Sequence, residues 1–291
     1  MTLYAAAIQP FVDYSFMRRA LVACIALGIG CGPIGTLLVL RRMSLVGDAM
    51  AHALLPGAAL GFIGAGFSLA AMSFGGFAAA LTVAIAAGVV TRLTTQKEDA
   101  SFAAFYLMAL AAGVMLISTR GSSIDLMHVL FGTILAVDNH ALVLVAAISS
   151  VTLPTLAIIY RPLLVECFDP TFLRAVSGRG ALHHVIFLVL VVLNLVGGFQ
   201  ALGTLMAVGM MMLPATTARF WVTDVVSLAT VAALVAMTSG WLGLLISYHY
   251  SLPSGPAIVL VAGSFYLLSV LIGRRDSVLS GVIRQHVHRT A

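Results

Sequence analysis

Of 291 residues, 61% are hydrophobic and only 9% charged, with a formal net charge of +5. Soluble domains carry about 25% charged residues, so the composition excludes a water-soluble globule and indicates an integral membrane protein. The single lysine, Lys97, lies in TTQKEDA and no GxxxxGK[ST] occurs, so the chain has no phosphate-binding loop of its own; another subunit or an ion gradient must drive any work.

A span needs about 20 apolar residues. In chain order, residues 20–40 form the first uncharged run, and residues 53–91 form a run long enough for two spans with a turn near Phe74-Gly75-Gly76. Residues 100–119 and 141–160 supply the next two. Residues 180–218 read as a pair turning near Gly197-Gly198, and residues 225–273 as a pair broken by SYHYSLPSG. The expected fold is all-α and polytopic, with about nine transmembrane helices in a range of about 8–10. Residues 124–137 are apolar but short, and read as a re-entrant or interfacial helix. With the N-terminus outside, only Arg18, Arg19 and Arg120 of the fifteen Arg and Lys residues fall on the outer side, as the positive-inside rule requires. The basic charge therefore orients the chain and does not imply nucleic acid. One membrane domain over residues 1–291 is expected, with a cytoplasmic loop at 161–179 and a cytoplasmic tail at 274–291. Cys24, Cys31 and Cys167 form no CxxC pair and read as packing residues, with neither a disulfide framework nor a cysteine metal site.

RRMSLVGDAMAHALLPG places Asp48 and His52 four residues apart at the start of an apolar run. On a helix they share one face. A carboxylate and an imidazole so placed can bind one divalent cation, and a symmetric dimer would supply two of each. The alternative is that Asp48 caps the helix and His52 sits at the headgroup level. Pro56 and Gly57 follow, where a kink or unwound turn is expected, and Gly203, Gly209 and Pro214 suggest a second bendable helix.

These residues resemble the signature of the membrane permeases of bacterial metal-ion ABC importers, the zinc/manganese/iron family. The resemblance continues through IDLMHVLFGTILAV, FDPTFLRAVSG, QALGTLMAVGMMMLPATTARFW and YSLPSGPAIVL, in order, over residues 35–272. It implies a type II ABC importer-like fold and metal coordination by Asp48 and His52 from both protomers. It also implies a homodimer or close heterodimer with two cytoplasmic ATP-binding cassette ATPases and an extracytoplasmic metal-binding protein, in a bacterial inner membrane. The chain would bind no cofactor; ATP would sit on the partner subunit, and the transported ion would be zinc first, manganese second and iron third.

In the loop, Asp169 reads as an N-cap, Pro170 as the first helical residue and Gly178 as the stop. Phe172, Leu173 and Val176 can form an apolar face beside Arg174, on a short cytoplasmic helix that would either enter a partner's groove as a coupling helix or lie on the lipid surface. The resemblance makes that partner the ATPase. Asp125 and His128, at i and i+3, are a second candidate cation pair or outer-surface polar residues. Asp138 and His140, His249, His183-His184 and the tail's His286 and His288 read as interface or surface groups. Met206 and Met210 to Met212 cannot all share one face and read as packing. The alternative function is a gradient-driven divalent cation exchanger, weakened by the span number and the lack of a soluble metal-binding domain. An intramembrane metalloenzyme ranks last, because no HExxH is present. No enzyme activity is expected of this chain.

Overall fold

The computed structural model describes residues 7–66, 68–96, 98–119, 137–168, 180–275 and 277–279. The described residues form ten helices and no strand. A short α1 (Gln9–Asp13) leads through Tyr14 into α2 (Ser15–Leu40). Arg41 and Arg42, the latter at φ 59°, reverse the chain into α3 (Ser44–Ala65), which carries Asp48 and His52. Then follow α4 (Leu69–Leu93), α5 (Glu98–Thr119), α6 (Asn139–Phe168) and α7 (Gly180–Leu202). The last three are α8 (Thr204–Ala218), α9 (Val225–Tyr250) and α10 (Ser254–Ile272).

Short polar side chains start several of these helices by satisfying otherwise unpaired N–H groups. Ser68 accepts from Ala71 N at 3.4 Å, Asp138 from Ala141 N at 2.7 Å, and Asp224 from Ser227 N at 3.1 Å. Asp138, read from sequence as an outer-surface group, is thus the cap of α6. Glu98 and Asp99 occupy the first turn of α5, where negative charge complements the helix dipole.

Eight helices are long and apolar enough to cross a membrane, and α8 is the ninth, shorter member. At 1.5 Å per residue it is about 22 Å long, against a hydrocarbon core of about 30 Å. Two expected turns move. Gly75-Gly76 lies inside α4 and Gly197-Gly198 inside α7. Both are contact points: Gly75 meets Gly57 of α3, and a side chain at Gly198 would meet Ala207 of α8. In lipid, glycine lets helix backbones approach, and an uninterrupted helix keeps its N–H and C=O groups paired. The chain turns at Gly66 to Ser68 instead, and at Gly203, whose φ of 88° and ψ of 163° suit glycine. Gly203→Ala is expected to cost about 2 kcal/mol, seen as a lower thermal midpoint in detergent.

Among the eight long spans α2, α3 and α7 are the most buried. α2 packs against α6, α8 and α9; α3 packs against α4 and α5; α7 bridges α6 and α4. Polar bonds pin the centre. Asn194 of α7 donates to Thr152 of α6 at 2.8 Å, and Ser149 of α6 donates to the Ala26 carbonyl of α2 at 2.7 Å. In an apolar medium such interhelical bonds are worth about 0.6–2 kcal/mol each, and they fix register among helices that dispersion alone would hold loosely.

Candidate metal-transfer site

Helical spacing delivers Asp48 and His52 to one face of α3, as the sequence requires. His52 Nε2 stands 3.6 Å from Asp48 Oδ1, with the side chains 32% and 52% exposed respectively. That separation is too long for a hydrogen bond. A cation bonded to both atoms at about 2.1 Å would subtend an angle of about 120° between them, within reach of the geometries nitrogen and oxygen ligands adopt. Tyr106 of α5 stacks on the His52 ring at 6.0 Å between centroids, which holds the imidazole in place. His52 Nδ1 is buried without a hydrogen-bond partner. The ring therefore keeps unused hydrogen-bonding capacity on both sides, a poor arrangement for structure alone.

The pair opens onto a cleft of about 380 Å³ between α3, α8 and α10. Thr204, Leu205, Val208, Gly209, Met212 and Leu213 of α8 and Val259 of α10 line it with Asp48, Ala51 and His52. The walls are apolar, so a cation would find few competing donors outside the pair. The methionines divide: Met206, Met210 and Met211 are core residues, whereas Met212 faces the cleft. Its thioether is a soft donor beside two harder ones.

Among the described residues no group of three or more His, Cys, Asp or Glu is placed to hold a metal ion. Among the described residues one protomer thus presents two ligands, Asp48 and His52, to a cation in this cleft. α3 runs as an unbroken helix through Pro56 and Gly57, and α8 through Pro214. Pro56 packs against Gly113 of α5, and Gly57 against Gly75 of α4, so both help seat α3 between its neighbours. His140 is exposed beside the α6 cap. Asp125 and His128 lie outside the described residues, as do Asp169, Pro170, Phe172, Leu173, Arg174 and Gly178 of the coupling segment and His286 and His288 of the tail.

Sequence reasoning missed Tyr106 and the α8 face. The signal for α8 was the i, i+4 repeat of Thr204, Val208 and Met212 with Leu205, Gly209 and Leu213, which puts one stripe along the cleft. For Tyr106 there was no local signal. It also missed a charged cluster of Arg41, Glu98, Glu166 and His184, in which Arg41 donates to Glu166 at 2.7 Å.

Residues 13–273 match the ABC 3 transport family. The manganese import system permease protein ScaB of Streptococcus parasanguinis is 34% identical over 274 residues, covering 92% of this chain and 96% of that protein. The manganese transport system membrane protein MntC of Halalkalibacterium halodurans is 34% identical over 271 residues, covering 92% and 91%. The solved structure of PsaBC from Streptococcus pneumoniae in complex with Fab superposes with a TM-score of 0.83 at 32% identity, covering 96% of this chain and 99% of the other.

Proposed function

The chain belongs to the ABC 3 transport family, and from that premise we propose that it is the membrane permease of an ATP-driven importer. Its substrate is a divalent transition metal, carried from an extracytoplasmic binding protein into the cytoplasm. The observation that carries this reading is the Asp48–His52 pair facing the cleft between α3, α8 and α10. Manganese ranks first, zinc second and iron third. This reverses the zinc-first order of the sequence reading, because both curated relatives reported above are manganese systems, and a carboxylate with an imidazole serves manganese as well as zinc.

The site is completed by a second copy of the chain. Asp48 is half exposed on the cleft-bearing flank of the single protomer. A carboxylate in contact with lipid is penalised, by about 2.5–3.5 kcal/mol at the bilayer centre and by less near the interface, where its place one turn into α3 puts Asp48. Pairing two copies across this flank removes the carboxylates from lipid and supplies two Asp and two His to one ion. Asp125 and His128 belong to the outer mouth of the path.

The ends of α2 and α6 and the starts of α5 and α7 meet through Arg41, Glu166, Glu98 and His184. By the positive-inside rule this is the cytoplasmic end, with the N-terminus outside and the tail inside. The segment after α6, with Asp169, Pro170, Phe172, Leu173, Arg174 and Gly178, leaves from that end to dock the ATPase. The membrane is the bacterial inner membrane.

The test is uptake of radioactive manganese into vesicles holding this chain, its ATPase and its binding protein, with zinc as competitor. Uptake should require ATP and the ATPase and should survive a proton ionophore. Uptake that is indifferent to ATP and abolished by the ionophore would replace the importer with a gradient-driven exchanger.

A further inference from the structure

Four side chains from four helices meet at the end of the bundle where α2 gives way to α3. Arg41 Nη2 donates to Glu166 Oε2 at 2.7 Å, and Arg41 Nη1 lies 3.2 Å from His184 Nδ1. His184 Nε2 lies 3.3 Å from Glu98 Oε1, and its Nδ1 lies 3.5 Å from Glu166 Oε1. The guanidinium also sits 4.6 Å from the centre of the Phe187 ring. With the imidazole neutral and its proton on Nε2, the geometry makes one continuous chain: Arg41 donates to both Glu166 and His184, and His184 donates to Glu98.

Stability is a poor reason for this cluster. The Arg41 side chain is only 5% exposed, and replacing a buried ion-pair network by apolar side chains is often neutral or stabilising. Arg41 Nε is moreover buried with no partner, so the hub is incompletely satisfied in this arrangement. A group with spare donor capacity and several acceptors in reach can exchange partners when its neighbours shift.

The positions of the four residues give that exchange a direction. Glu166 is near the end of α6 and His184 near the start of α7, so they flank residues 169–179 in sequence. Arg41 ends α2 and leads through the Arg42 reversal into the helix that carries Asp48 and His52. Glu98 opens α5, whose Tyr106 stacks on His52. The cluster therefore joins both flanks of the segment read as the ATPase dock to both helices that hold the imidazole.

We propose that Arg41 is a positioning residue that couples the state of the ATPase to the Asp48–His52 pair, by holding the α6 and α7 ends against the starts of α3 and α5. The proposal rests on the function proposed above, in particular on docking through residues 169–179. When the ATPase moves that segment, Glu166 and His184 move with it, and Arg41 and Glu98 carry the displacement to α3 and α5.

The test compares wild type with Arg41→Gln in vesicles containing the ATPase and the binding protein, reading manganese taken up per ATP hydrolysed. Arg41→Gln is expected to lower that ratio by about tenfold, the range of a typical coupling free energy, with ATP hydrolysis close to wild type. A purely structural role would lower uptake and hydrolysis in proportion, and that result, or an unchanged ratio, overturns the proposal. Glu98→Gln leaves the Arg41–Glu166 pair in place and should lower the ratio in the same direction by a smaller factor. It decides the matter if Arg41→Gln does not assemble. Wild-type uptake that needs no ATP sinks the functional reading and this proposal together. A coupled wild type with an unaffected Arg41→Gln sinks the proposal alone.

Discussion

Asp48→Ala and His52→Ala are each expected to reduce manganese uptake by at least about 100-fold, because loss of a direct ligand should exceed the 10–100-fold cost of losing a group that merely supports one. Neither should weaken the fold. Asp48 is half exposed on an apolar helix, and its one ion-pair contact among the described residues is the 3.6 Å approach to His52; replacing it with alanine removes a carboxylate that lipid would penalise. His52 keeps a buried Nδ1 without a partner, and its removal relieves that unpaired nitrogen. The two variants should match or exceed wild type in thermal stability in detergent while losing transport. That combination marks residues kept for function at a cost in stability. Asp48→Asn, which keeps the shape but loses the charge, should resemble Asp48→Ala in transport. Uptake that survives both alanine variants would reduce the pair to a helix-end acid and a packing imidazole, and the ion's path would have to be sought at Asp125 and His128. The assays are uptake in vesicles and unfolding of the purified complex, run on the same preparations.

The legible parts of this molecule are those written in local spacing. Hydropathy located the spans because a helix in lipid must be apolar for its whole length. The break at SYHYSLPSG was placed correctly, since Ser251 takes a left-handed conformation and Pro253 is the N-cap from which the next helix starts. Asp48 and His52 could be paired from sequence because the helix itself brings i and i+4 together. The double glycines misled because glycine has two uses. In a loop it permits unusual dihedrals, whereas between membrane helices it permits contact, and sequence alone does not tell Gly75 in a contact from Gly203 in a turn. The charged cluster was hidden for a related reason. Arg41 read as an orienting charge and His184 as an interface or surface group, and Glu98 stands where the helix dipole alone favours an acid. Each local reading is sound, yet their mutual contacts depend on how four helices pack, which no local pattern encodes. Tyr106 is invisible on the same ground, whereas the α8 face of the cleft is written locally, in the i, i+4 stripe of Thr204, Val208 and Met212.

The contact between α3 and α4 gives the other large effect, as a difference in sign within one helix. A Cβ added at Gly57 would fall on the carbonyl oxygen of Gly75, and one at Gly75 on the carbonyl oxygen of Gly57. The obstacle on each side is backbone, which cannot rotate away as a side chain can. Two turns further along α3, Gly64 has nothing within 4 Å of the same added atom. Alanine favours a helix over glycine by up to about 1 kcal/mol, so Gly64→Ala should leave stability unchanged or raise it slightly. Gly57→Ala gains the same propensity but must push α3 off α4, an overpacking that costs about 1–3 kcal/mol or more. It should lower the thermal midpoint of the detergent-solubilised chain where Gly64→Ala does not. Transport should fall further than stability, because α3 is held on its other side by α5 at Pro56 and Gly113, and a displaced α3 takes His52 away from Tyr106. Equal effects of the two alanines would mean that the helices do not touch at Gly57 and Gly75, and that the seat of the metal-binding helix lies elsewhere.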